Sequence, residues 1–220
     1  MQSKFKKLFA LMLAAGLVVS VTACDDTDEE EEDSEEESVE ETTENPDFET
    51  VESEYTLKYD PDKIPDALAE VICQYFYAIY TQDYDLYEAQ INPTYFEAMD
   101  ATLEEEYGYG METDFESYHE ALIDYAGTED FTITEITMEL ADEALEDSYD
   151  ESTDFVEDYL DAYSDFLGED FVTEIEENTD EIIDVCMMMY GEDADGETIT
   201  IMDQLEILTA YEDGAYGVLG

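Results

Sequence analysis

Positive charge is almost missing from this chain. Its 220 residues carry five lysines, no arginine and one histidine against 66 aspartates and glutamates, a formal charge of −61. Such a field repels nucleic acid and anionic lipid surfaces, because binding either one takes cations that displace counterions from phosphates. The composition therefore excludes a nucleic-acid role. Without a guanidinium fork, bidentate capture of a buried phosphate or carboxylate is disfavoured too, and with it phosphorylated substrates. Cysteine is scarce, at three residues, and tryptophan is absent. Apolar residues are not scarce: 44% of the chain is hydrophobic and 13% aromatic, including 18 tyrosines. That is enough apolar surface to offset the entropy of folding at least one domain.

The few cations are unevenly placed. Lys4, Lys6 and Lys7 precede an apolar run from Leu8 to Val21, and no acid occurs before Asp25. A basic start, an apolar stretch and small residues are the three regions of a secretory signal peptide. The run is too short to span a bilayer core, which needs about 20 helical residues. Its end, Val21-Thr22-Ala23-Cys24, resembles the lipobox of bacterial lipoproteins. The resemblance implies cleavage after residue 23 and a diacylglycerol thioether on Cys24, attaching the chain to the extracytoplasmic face of the cell membrane. Two acyl chains suffice for stable anchoring. The mature chain would keep only Lys58 and Lys63 against all the acids.

From Asp25 to Glu54, 18 of 30 residues are acidic and only Val39, Phe48 and Val51 are sizeable and apolar. Like charges extend such a segment, so residues 24–60 read as a disordered tether and 61–220 as one domain. Within that domain Leu68, Val71, Ile72, Tyr75, Phe76 and Ile79 recur at helical spacing, predicting a helix over Pro65–Thr81. Asp83 starts a second helix, Pro93 a third that ends at Gly108, and Thr113-Asp114-Phe115-Glu116 has the form of a capping box for a fourth running to Ala126. Period-two alternation from Phe131 predicts a strand, with a phase slip between Ile133 and Ile136 that calls for a bulge. A helix over Thr153–Leu167 follows. Strands are then expected at Phe171–Ile175, Ile182–Tyr190, Thr198–Met202, Leu205–Tyr211 and Ala215–Leu219, with turns at Asp195-Gly196 and Asp213-Gly214.

Helices, a strand, a helix and a closing meander indicate α+β, with helices packed on one face of a curved antiparallel sheet. The opening helix with Tyr75-Phe76-Tyr77-Ala78-Ile79-Tyr80, the Asp83-Tyr84 helix start and the closing hairpin Leu205 to Leu219 resemble the nuclear-transport-factor-2-like fold of Gram-positive secreted lipoproteins. This fold is cystatin-like and cone-shaped. The resemblance implies an interior pocket, which enzymes of the superfamily use for enolisation.

Candidate site residues are few. His119 falls near the apolar side of its helix and could serve as a polar group in the pocket mouth, or be a partly buried imidazole bonded to a nearby acid or tyrosine. Cys73 and Cys186 could form a disulfide outside the cytoplasm or remain free thiols. Gly191 to Gly196 matches part of a calcium loop, but the bidentate twelfth position is Met202, so a hairpin turn is the better reading. Of Met187-Met188-Met189, alternate side chains should fill the core. With acids and tyrosines everywhere, no catalytic constellation stands out, and no metal or cofactor is expected. The sequence therefore points to a non-catalytic binding or interaction module on a membrane anchor. Its alternatives are a small-molecule carrier or enolisation-type enzyme using the pocket, or an accessory subunit of an envelope or transport complex that meets a basic protein. The ligand stays unspecified.

If the acids are only a solvated surface, KCl should raise the melting temperature by screening self-repulsion, and calcium at matched ionic strength should add nothing saturable. A saturable rise at submillimolar calcium would instead reveal a defined cation site.

Overall fold

A computed structural model describes residues 55–145 and 155–220. The signal segment, the Cys24 junction, the tether up to residue 54 and the helix start expected at Thr153 lie outside the described residues. In chain order the elements are β1 (Thr56–Lys58), α1 (Asp66–Thr81), α2 (Tyr84–Glu88), α3 (Pro93–Tyr107), α4 (Met111–Phe115), α5 (Tyr118–Ala126), β2 (Phe131–Leu140), α6 (Ala141–Ala144), α7 (Phe155–Leu167), α8 (Glu169–Asn178), β3 (Thr179–Asp193), β4 (Thr198–Glu212) and β5 (Ala215–Val218). The architecture is α+β, built on a curled five-stranded sheet in the order β1-β2-β3-β4-β5.

Local chemistry accounts for most boundaries. Pro65 is the N-cap of α1 rather than its first helical residue, and Gln82 ends that helix in a left-handed conformation. Asp83 accepts the Leu86 amide at 3.1 Å and Asn92 the Tyr95 amide at 3.0 Å, each satisfying an orphan donor at a helix start. The phase slip in β2 is a register shift against β3 between Ile133 and Glu135. Asp213 and Gly214 both have positive φ and join Glu212 to its partner Ala215, the backbone that a two-residue hairpin loop requires.

Five expectations are corrected. Residues 171–175 form helix α8: Phe171 and Ile175 are buried four residues apart, while the Thr173 hydroxyl turns back to the Glu169 carbonyl at 3.0 Å. Their alternation had the look of a strand, but Gly168 stops α7 and a second helix starts at once. Thr198–Met202 and Leu205–Tyr211 are one strand, bent at Gln204, whose φ is 53°. No capping box forms at Thr113, which lies inside the short α4; α5 starts at Tyr118. The sheet is mixed, since β1 runs parallel to β2, and this strand brings residues 55–60 into the folded unit ahead of the boundary expected at 61. Finally, the sheet is covered on both faces. Val185, Met187 and Met189 enter the main core, whereas Cys186 between them packs on Ala141 and Leu145 in a separate cluster.

The main core gathers α1, α3 and α5 over β2, β3 and β4, with Leu68, Ile72, Met99, Leu103, Leu122, Ile136 and Leu208 all essentially inaccessible. The β5 edge is closed by the α2–α3 connection: the Val218 amide donates to the Gln90 carbonyl at 2.8 Å and the Asn92 amide to the Val218 carbonyl at 2.9 Å. Gly217 permits this approach, because a Cβ there would stand 2.7 Å from the Asn92 backbone. Substituting Gly217→Ala should therefore destabilise the fold by about 1–3 kcal/mol, as overpacking against backbone does. Gly196→Ala, where a Cβ meets open space, should cost only the strain of its positive φ, and urea unfolding of the two variants would check the difference.

Candidate functional site

Where α1, α2, α3 and α5 converge on β4, the core leaves a cavity of about 50 Å³. Its helical wall is Tyr75, Phe76, Ile79, Tyr87, Tyr95, Tyr118 and Leu122; Met202, Leu205, Glu206, Ile207 and Gly220 close the other side. Helical spacing creates this wall, since Tyr75, Phe76 and Ile79 share one face of α1 and Tyr118 and Leu122 one face of α5. The rings hold each other in place. Tyr87 lies 5.2 Å from Tyr75 and 4.6 Å from Phe115 between ring centroids, and meets Tyr118 edge-on at 5.7 Å.

The hydroxyls are linked as well. Tyr118 donates to Asp114 Oδ2 at 2.6 Å, Tyr87 hydrogen-bonds both Tyr118 and Tyr75, and Tyr109 reaches Asp114 Oδ1 at 3.5 Å. Asp114 is 6% exposed. Burial raises its pKa above the usual carboxylate range, and the bonds from Tyr118 and Tyr109 oppose that rise. Burial likewise pushes Tyr75 up to about 12, and lifts Tyr87, Tyr95 and Tyr118 well above an ordinary phenol. At neutral pH the wall is thus four neutral phenols, with the Asp114 carboxyl one hydrogen bond behind it.

A second polar group is buried between β3, β4 and α7. Asp184 and Glu206, 8% and 7% exposed, lie diagonally across the β3–β4 ladder, where Cys186 pairs with Glu206 and Asp184 with Leu208. Tyr159 of α7 hydrogen-bonds Glu206. Neither oxygen of Asp184 has a hydrogen-bond partner among the described residues. Burial first, then Glu206 and Asp142, push Asp184 up to about 7; the same surroundings push the Cys186 thiol up to about 12.

The residues singled out from sequence fall elsewhere. His119 is one position past Tyr118, so its ring is turned off the cavity wall and its Nδ1 lies 3.2 Å from the Ile79 carbonyl instead of an acid or tyrosine. Cys73 and Cys186 are both buried and are not bridged to each other, which corrects the possible disulfide: Cys73 Sγ lies 3.0 Å from the Tyr55 hydroxyl, and Cys186 is in the separate cluster beneath α6. Asp193 Oδ1 accepts the amides of Asp195 and Glu197 at 3.0 and 2.9 Å, so its carboxylate caps the hairpin turn. Met187 and Met189 fill the core. Among the described residues no three His, Cys, Asp or Glu side chains converge in a way that could hold a metal ion, and no helix is long and apolar enough to cross a membrane.

Sequence reasoning missed the buried acids. Asp114 and Tyr118 stand at helical i, i+4 spacing, but similar acid–tyrosine pairs recur throughout this composition. Asp184 left a clearer mark, as the one charge within Ile182-Ile183-Asp184-Val185-Cys186-Met187. No protein-family model, curated protein or solved structure matches the chain.

Removing the hydroxyl with Tyr118→Phe should cost about 1–3 kcal/mol at neutral pH, because the buried Asp114 loses its shortest hydrogen bond. The cost should shrink as acid protonates Asp114. Urea unfolding at pH 7 and pH 4 would check both size and sign.

Proposed function

We propose that the chain is a lipid-anchored extracytoplasmic lipoprotein whose α+β domain is a non-catalytic binding module. Cys24 carries the anchor, residues 25–54 hold the domain off the membrane, and the domain is a cone-shaped, nuclear-transport-factor-2-like (cystatin-like) unit. The anchor rests on the basic start, the apolar run and the Ala23-Cys24 junction. What favours the fold assignment is the curled sheet with α1 laid against it.

One observation carries the binding reading: the polar wall of the cavity is made mainly of neutral phenols whose hydroxyls are tied to one another and to Asp114. Enolisation needs a base and a donor that both face the substrate. Here the Asp114 carboxyl lies behind Tyr118, His119 is bonded away from the wall, and the Glu206 carboxyl that does line the cavity is hydrogen-bonded to Tyr159. The cavity also falls well short of the ~300 Å³ at which enclosed metabolite sites begin. Recognition then passes to the surface. Lys58 and Lys63 pair with Glu135 at 2.9 Å and Glu143 at 2.7 Å, so both described lysines are already matched within an acidic envelope that suits a basic protein partner.

Two measurements test the two halves. Cys24→Ala should abolish incorporation of labelled fatty acid and move the protein from the detergent phase to the aqueous phase. Retention in the detergent phase would contradict the lipid anchor. Binding to a lysine-rich test polypeptide should weaken steeply between about 0.05 and 0.5 M KCl, as the Debye length contracts. Affinity that does not change with salt would contradict an electrostatic partner surface.

A further inference from the structure

The orphaned carboxyl of Asp184 has no role in the cavity. Its neighbours among the described residues are neutral or acidic: Cys186 on its own strand, Glu206 on β4, Asp142 on α6, and Tyr159 and Tyr163 on α7. The two described lysines are engaged with Glu135 and Glu143. An ionised carboxylate taken out of water with neither a cation nor a donor is strongly disfavoured, and a proton is the smallest group that removes the charge. Metal is a poorer occupant, since no three ligating side chains converge among the described residues.

We infer that Asp184 and Glu206 form a proton-binding pair that latches α7 to the sheet, holding the helix down while the pair keeps one proton and loosening it when both carboxyls ionise. The Tyr159 hydrogen bond favours charge on Glu206, which leaves the proton on Asp184. Loss of that proton sets two carboxylates diagonally across the β3–β4 ladder, under the turn of α7 whose Tyr159 bonds Glu206. One turn further on, Tyr163 donates to the Leu219 carbonyl at 2.6 Å and packs on Tyr95 and Phe171. Release therefore begins at the Tyr159 end. Because Glu206 also lines the cavity, the latch shares a wall with it.

The direction follows from linkage. Asp184 titrates near 7 when folded and near 4 when unfolded, so the native state binds the extra proton between those values. Stability contributed by the latch is full at acid pH, declines through this window and is lost above about pH 7.

Hydrogen exchange of the intact protein in 1 M KCl, corrected for intrinsic rates, would test the latch, because high salt screens the general self-repulsion while leaving a buried pair largely unscreened. Between pH 5 and pH 8, protection of residues 156–162 should fall about tenfold more than that of α1. In Asp184→Asn this difference should vanish, whereas in Asp142→Asn it should persist. An equal fall in wild type and Asp184→Asn, or a uniform fall across the domain, would overturn the latch. Should Asp184→Asn not fold, the ¹³C carboxyl resonance of Asp184 in the wild-type protein decides: a midpoint near 7 supports the pair, and one below about 5 refutes it. Calcium added at pH 8 should not restore protection; restoration would make the occupant a cation.

Discussion

The structure depends on how a chain with almost no cations satisfies its buried carboxyls. In most proteins a lysine or arginine would face such a group. Here the phenol of tyrosine takes that place: Tyr118 donates to Asp114 at 2.6 Å and Tyr159 bonds Glu206, and the same pairing recurs at the surface, where Tyr59 donates to Asp66 at 3.0 Å and Tyr216 to Glu181 at 3.3 Å. A phenol supplies one proton donor and a large apolar ring, so the same residue that satisfies an acid also packs the core. It supplies no charge. Burial consequently wins over hydrogen bonding, and Asp114, Asp184 and Glu206 are all raised, the reverse of acids held down by salt bridges.

This constraint shapes the interior. The aromatic cluster around Tyr75, Tyr87, Phe115 and Tyr118 is at once the packing of α1, α2, α4 and α5 and the hydrogen-bonded wall of the cavity. Polar function and core packing cannot be separated there, because each ring serves both. The sheet meets the same constraint differently. Along β3, Val185, Met187 and Met189 enter the main core, Cys186 packs on Ala141 and Leu145 in the separate cluster beneath α6, and Asp184 is buried beside Glu206 and Tyr159 of α7.

How much of this could be read from sequence follows from the range of each interaction. α1 and α3 declared themselves, since helical periodicity and caps such as Asn92 act within a few residues. The bulge after Ile133 and the Asp213-Gly214 turn were legible for the same reason. Phe171 to Ile175 misled because a five-residue segment with apolar ends fits periods of two and four about equally. β1 was invisible: Thr56–Lys58 is a strand only because β2 runs beside it. The site was harder still. His119 drew notice as a rare residue yet faces a backbone carbonyl, while the tyrosines and acids that do meet were hidden by their own abundance.

The central claim is that buried acids in this fold, surrounded by apolar groups and phenols in place of cations, hold their protons to higher pH than free carboxyls do. Potentiometric titration of the native protein against the urea-unfolded chain, both in 1 M KCl, measures it directly through the difference in bound protons. The account predicts that the native protein holds more protons than the unfolded chain between about pH 5 and pH 7. A native protein that holds fewer protons there would mean that its buried carboxyls are ionised and charge-paired, and would contradict the account.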